Sequence, residues 1–174
     1  MIFFIIGYMG AGKSSVGREV ARRTGIRFAD MDKEIEKMHR MTVSEIFANQ
    51  GERVFRKSER TVLEQLAEED GDVIVSAGGG TPCQGDNIEL MNRTGKTIYL
   101  KLSPAKLVSR LKPGQERRPI LTGMNKEQML EFIERALPER EPCYLKASMI
   151  IDCDRLSDDS ICSHVTEYVK HFTE

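Results

Sequence analysis

The chain has 174 residues, with 26 Lys and Arg against 27 Asp and Glu, a formal net charge of −1. That length suits one domain, residues 1–174, with a sizeable core, and that charge balance excludes bulk attraction to nucleic acid or to an anionic membrane, so any anion site has to be local. The four cysteines, Cys83, Cys143, Cys153 and Cys162, show neither a Cys-x-x-Cys pair nor zinc spacing, which favours reduced, mostly buried thiols over a disulfide framework. The N-terminal apolar run is too short and too poor in basic flanks for a secretion signal, and nothing else approaches a membrane span, so a cytoplasmic location is expected.

In chain order, Ile2-Phe3-Phe4-Ile5-Ile6 reads as a short buried strand. It runs directly into Gly7-Tyr8-Met9-Gly10-Ala11-Gly12-Lys13-Ser14 and then a helical pattern. Gly-x-x-x-x-Gly-Lys-Ser between strand and helix is the phosphate-binding P-loop in its required setting. Its glycines let backbone N–H groups converge on phosphate oxygens. Lys13 reaches the β and γ phosphates, the Ser14 hydroxyl is a Mg²⁺ ligand, and the helix N-terminus turns its positive end to the anion. Val16, Val20 and Ala21 form the apolar stripe of that helix, Gly17 leaves a flat spot for close packing on the sheet, and Gly25 ends it.

Phe28 to Asp32 reads as a second strand, which would turn the Asp30 and Asp32 carboxylates the same way at a strand's carboxyl end. Parallel α/β sheets place ligands beyond those ends. Ile35 and Met38 open another helix, Thr42-Val43-Ser44-Glu45 is a capping box, Gly51 stops that turn, and Val54, Phe55, Val62, Leu63 and Leu66 stripe a longer helix to about Glu69. Asp72 to Ala77 is a buried strand ending in Gly78-Gly79-Gly80, where backbone has to approach a ligand or present amides to it. A short helix covers Ile88 to Asn92, and Thr97 to Leu102 is a fourth strand. Ser103-Pro104 caps a helix to Leu111.

From Lys112 to Asn125 the periodicity gives way to Pro, Gly and charge, a loop long enough to act as a lid. Met129, Leu130, Ile133 and Leu137 mark the next helix, and Ser148 to Asp152 a fifth strand. Ile161, Val165, Tyr168, Val169 and Phe172 stripe a last helix, with His164 placed on its core-facing side. His39, His164 and His171 lack partners at ligand spacing and read as structural. Arg56, Arg118 and Arg140 would be unremarkable solvated residues in isolation. Beside a P-loop they become candidate forks for phosphate and carboxylate. Strands alternating with helices at this spacing mean an α/β fold with a parallel sheet covered on both faces.

These residues fall into a known order. The P-loop Gly7 to Gly17, Asp30-Met31-Asp32 with Ile35-Glu36, Gly51-Glu52 with Phe55-Arg56 and Glu59, Ser76-Ala77-Gly78-Gly79-Gly80, Arg118-Pro119-Ile120-Leu121 and Arg140-Glu141-Pro142-Cys143-Tyr144 together resemble the shikimate kinase family over nearly the whole chain. The resemblance implies a three-layer αβα domain with a five-stranded parallel sheet in the order 2-3-1-4-5, a substrate-binding segment at about 32–60 and a mobile lid at about 112–125. It implies ATP and Mg²⁺ as cofactors, shikimate as the small-molecule partner, a monomer, and no nucleic acid or membrane partner.

By that resemblance Gly10, Ala11, Gly12, Lys13, Ser14 and Ser15 hold the nucleotide, with Arg110 against the adenine and Arg155 nearby. Ser14 binds the metal, with Asp30 and Ser76 helping through water. Asp32 bonds the attacking hydroxyl and accepts its proton. Arg56 and Arg140 clamp the shikimate carboxylate beside Gly78, Gly79 and Gly80, and Arg118 on the lid meets the transferring phosphoryl group. Three departures stand out. Asp154-Arg155-Leu156-Ser157 lacks a proline that relatives often place against the base, Thr81-Pro82-Cys83 replaces small apolar residues after the glycines, and Arg117 competes with Arg118, which the position before Pro119 favours. The alternatives are a gluconate or nucleoside monophosphate kinase and a non-catalytic nucleotide switch. Against a GTP switch, Asn125-Lys126 continues as Glu127-Gln128 and makes no Asn-Lys-x-Asp guanine motif.

Overall fold

The structure, a computed structural model, describes residues 1–117 and 119–173, with no side-chain description at 115–117 and 119. Strands β1 (Ile2–Ile6), β2 (Arg27–Asp30), β3 (Val73–Ser76), β4 (Gly95–Lys101) and β5 (Met149–Asp152) form one sheet in the order β2-β3-β1-β4-β5. All its pairings are parallel. The order follows from burial: β1 and β3 are buried at every position, as strands covered on both faces are, whereas β2 and β5 mix buried with exposed residues and take the two edges. Register sets the site, because Ser76 pairs with Ile5 on one side and with Asp30 on the other. The ends of β2 and β3 therefore lie level with the start of the P-loop.

Helix α1 (Lys13–Thr24) packs with α8 (Asp158–Thr173), α4 (Glu52–Glu68) with α2 (Met31–His39), α3 (Val43–Gln50) and α5 (Asn87–Thr94), and α6 (Pro104–Leu111) with α7 (Lys126–Tyr144), giving the three-layer αβα arrangement. Gly17 is where α1 lies closest to the sheet, since a Cβ there would stand 2.5 Å from the Phe28 ring. The capping box at Thr42 is formed with Glu45. Among the described residues no helix is long and apolar enough to cross a membrane.

The structure corrects four expectations. β2 ends at Asp30, and Asp32 lies in the first turn of α2 instead of on a strand. Met31 and Ile35, each 0% exposed, stand about one turn apart on the buried face of α2. His164 is exposed, its Nδ1 lying 2.7 Å from the Ser160 carbonyl oxygen. The buried face of α8 is Ile161, Cys162, Val165 and Val169, and one residue before Val165 the helix has turned about 100° away.

The patternless stretch after Leu111 is not bare loop. It holds 3-10 turns at Lys112–Arg117 and Pro119–Leu121, with Leu121 fully buried as an anchor. α7 outruns its apolar stripe and continues through Pro138 and Pro142 to the buried Tyr144. Here tertiary anchoring outweighs the cost of interior prolines. Of the four thiols, Cys153 and Cys162 are buried and Cys83 and Cys143 half-buried, and all are free.

Candidate active site

The P-loop links β1 to α1. Gly10 (φ 83°) and Gly12 (φ 89°) hold left-handed conformations that residues with a Cβ rarely adopt. Gly12 is also the N-cap of α1 and offers no side-chain cap, so the first N–H groups of the helix stay directed at the space beyond the sheet. No acidic residue occupies the first turn. The site is thus a cradle for an anion, with roughly half a positive charge at the helix end. Lys13 folds back over the loop and its Nζ donates to the carbonyls of Gly7 (3.0 Å) and Tyr8 (3.1 Å).

Beside Lys13, the Ser14 hydroxyl donates to Asp30 Oδ2 at 2.6 Å and lies 3.0 Å from Ser76 Oγ. Three separate segments thereby supply one group of hard oxygens, the type of donor Mg²⁺ takes. Among the described residues no cluster of three His, Cys, Asp or Glu side chains could form a cage for a metal. Asp30, Asp32, Ser76, Gly78 and Gly79 line a cleft of about 340 Å³ together with Lys13, Ser14 and the loop glycines. Burial pushes the Asp32 carboxyl up to about 6, the Asp30 charge adds to the rise, and Lys13 opposes it. Asp30 and Asp32 do share one cleft, though by a strand end and a helix turn instead of by alternation along a strand.

Gly78 and Gly79 line the cleft and Gly80 follows them outside its lining, and none of the three has a left-handed φ. Close approach explains them. A Cβ on Gly78 would lie 2.9 Å from Glu59 Oε1 and 3.3 Å from Asp32 Oδ1, one on Gly79 3.3 Å from the Met9 nitrogen, and one on Gly80 2.8 Å from Arg56 Nη1. The segment thus runs between the P-loop and the α4 side chains with no room for more atoms. On α4, Arg56 donates through Nη1 to Glu59 Oε2 at 2.7 Å and through Nε and Nη2 to Glu52 Oε1 at 3.1 and 3.0 Å. Glu59 is only 1% exposed and also accepts from the Thr81 hydroxyl.

Arg140 comes from α7, its guanidinium carbon 5.2 Å from the centre of the Tyr8 ring, a cation–π contact that ties it to the P-loop. Burial raises the Cys83 thiol, while the Cys143 side chain, Arg140 and Arg56 pull it back. Neither Arg56 nor Arg140 is part of the lining of the cleft that holds Asp32. The Tyr144 hydroxyl donates to the Gly79 carbonyl and pins the glycine segment from α7.

Arg110 reaches the rim of the P-loop, with Nη1 3.4 Å from the Ala11 carbonyl and Nη2 2.6 Å from Asp158. Ser15 lines the cleft, and Ala11 is buried behind it. Arg155 is exposed in the turn after β5 and is not part of the cleft lining. Arg118 lies outside the described residues, as does the side chain of its competitor Arg117. The candidate set passed over Glu59, Thr81, Tyr8 and Tyr144 as site residues. Glu59 carried a usable signal, since a Glu three residues after Arg56 on a helix is a natural ion-pair partner. The partners of Thr81, Tyr8 and Tyr144 lie in other segments, and no local pattern marks them.

Comparison with known proteins agrees with this geometry. The shikimate kinase family profile matches residues 9–170. A shikimate kinase of Parabacteroides distasonis is 45% identical over 157 residues, covering 90% of each chain. The crystal structure of shikimate kinase from Bacteroides thetaiotaomicron superposes with a TM-score of 0.89 at 40% identity, covering 98% of both chains. That of the Acinetobacter baumannii shikimate kinase in complex with shikimate gives 0.83 at 29% identity, covering 98% of this chain and 93% of that one. These matches set aside the gluconate and nucleoside monophosphate kinases and the nucleotide switch: the chain belongs to the shikimate kinase family.

Proposed function

We propose that this chain transfers the γ-phosphate of ATP to the 3-hydroxyl of shikimate, with Asp32 as the group that receives the hydroxyl proton. The observation that carries the reading is the shared cleft, in which the P-loop, Asp32 and the glycine segment face one space. Lys13 exchanges its loop carbonyls for the β and γ phosphates, assisted by the amides from Gly10 to Ser15. Arg56 and Arg140 grip the shikimate carboxylate, and Gly78, Gly79 and Gly80 hold the ring beside them. The acceptor oxygen then faces Asp32, whose proton affinity, raised toward neutrality by burial, suits a base working near pH 7. Positioning and charge neutralisation are most of what phosphoryl transfer asks of a protein.

The donor set fits Mg²⁺: Ser14 would hold it directly, with Asp30 and Ser76 through water, and when bound it neutralises phosphate charge. Arg110 lies against the nucleotide, and Arg155 is read as a further contact. We read residues 1–174 as one domain, with a substrate-binding segment at about 32–60 and a lid at about 112–125 carrying Arg118 toward the transferring phosphoryl group. A closed lid excludes water from the reaction. A cytoplasmic monomer without nucleic acid or membrane partners completes the reading, supported by the near-zero net charge and the free thiols. A coupled ADP-release assay with shikimate, gluconate and AMP as separate acceptors tests it: turnover is expected with shikimate, and none with shikimate refutes it.

A further inference from the structure

We propose that Thr81 is a positioning residue for shikimate recognition, acting through Glu59 on Arg56. The inference rests on reading Arg56 as one jaw of the carboxylate clamp. Thr81 is the residue that follows Gly80 in the chain. It opens the short 3-10 turn Thr81–Cys83 directly after the glycines, and its side chain is 0% exposed. Its hydroxyl donates to Glu59 Oε1, while Glu59 Oε2 accepts from Arg56 Nη1 at 2.7 Å. Each oxygen of a carboxylate that is 1% exposed thus has its own donor. Hydroxyl, carboxylate and guanidinium form a chain with a fixed order.

The two ends of that chain are held unequally. Arg56 also meets Glu52, whose side chain is 64% exposed, and exposed pairs constrain an arginine little. The buried end therefore aims the guanidinium. Thr81 itself is pinned: its N–H donates to the Gly78 carbonyl at 3.1 Å, its own carbonyl accepts from Asn87 Nδ2 at 2.8 Å, and Asn87 Oδ1 accepts from Arg60 at 2.9 Å. A Cβ placed on Gly78 would lie 2.6 Å from Thr81 Oγ1, 2.9 Å from Glu59 Oε1 and 3.3 Å from Asp32 Oδ1. The hydroxyl is therefore packed beside the Glu59 carboxylate in the same small space that Asp32 borders. Without it, Glu59 Oε1 is a buried charged acceptor with no donor, and the carboxylate turns to find one. Arg56 then loses its aim.

Steady-state kinetics on the full chain test this with Thr81→Val, which keeps the shape and removes the hydroxyl, and Thr81→Ser, which keeps the hydroxyl. Thr81→Val is expected to raise the KM for shikimate about tenfold while the KM for ATP stays within about twofold, and Thr81→Ser to restore the parent value. A shikimate KM unchanged in Thr81→Val overturns the proposal. So does a rise in both KM values that Thr81→Ser fails to restore, which is the mark of a loosened fold. If Thr81→Val does not fold, Thr81→Ala is read by the same criteria. Arg56→Lys separates the proposal from its premise: an unchanged shikimate KM there removes the clamp, whereas a raised one beside a silent Thr81→Val removes only the role of Thr81.

Discussion

The two halves of the cleft are built by different means. The nucleotide half is one continuous stretch, Gly7 to Ser15, whose chemistry is carried by backbone amides, three glycines of positive φ and a helix end. We read the acceptor half as collected from four segments, with Asp32, Gly78 and Gly79 lining the cleft itself: Asp32 on α2, Arg56 and Glu59 on α4, the glycines with Thr81 after β3, and Arg140 with Tyr144 on α7. Its geometry depends on buried side chains bonding across those segments. Phosphate is recognised the same way whatever the acceptor, so a local motif serves. Selecting one small carboxylic acid needs opposed contacts from several directions, which only a tertiary assembly provides.

The comparison predicts that the halves fail separately. The largest effect is expected from Asp32→Asn, which should lower kcat by about 10² to 10⁴ while ATP binding is retained. Loss of nucleotide affinity in that variant, measured by fluorescence titration, would show the halves to be one unit. Next, Arg140→Ala should weaken shikimate binding by about 2 to 5 kcal/mol, the range for removing one partner of a desolvated charge pair. Calorimetric titration that finds shikimate affinity intact would take α7 out of the acceptor half.

A smaller effect is expected from Gly78→Ala, whose added Cβ meets Thr81 Oγ1 at 2.6 Å and Glu59 Oε1 at 2.9 Å. Such overpacking costs about 1 to 3 kcal/mol. Thermal melts should fall and the shikimate KM should rise, with ATP binding unchanged. A variant as stable and active as the parent would mean that the acceptor half is loosely packed.

The smallest effect concerns stability and pH. In the ligand-free protein Asp32 titrates at about 6, above its ordinary 3.8. A carboxyl raised on folding destabilises the native state once it ionises, so the penalty is absent below about pH 4 and full above about pH 6. The shift corresponds to at most about 3 kcal/mol, and solvent reaching the cleft reduces this to about 1 to 2 kcal/mol. Asp32→Asn should therefore melt higher than the parent at pH 7.5 and no higher at pH 4. Equal melting temperatures at pH 7.5 would show that Asp32 carries no strain.

Much of this was legible before any coordinates. The β1–P-loop–α1 unit, the sheet strands and the capping box at Thr42 follow from local periodicity, and the family resemblance implied the strand order. The misreadings share a cause. Phe28 to Asp32 alternates like a strand, yet the chain turns helical at Met31, with Met31 and Ile35 both buried on the resulting helix. Pro138 and Pro142 argue locally against a helix, and the Tyr144 anchor on Gly79 accompanies its continuation. Glu59 was visible as part of a motif, but its role depends on Thr81 meeting it across 22 residues of chain.

What the amino-acid order determined alone was the anion cradle and the alternation of strands with helices, because those properties arise from dihedral preference and side-chain spacing over a few residues. What the tertiary structure decided was which cleft Asp32 lines, how Thr81 meets Glu59 and why three glycines follow β3. Each of these is set by contact between atoms distant in the chain, and no short-range pattern encodes such a contact.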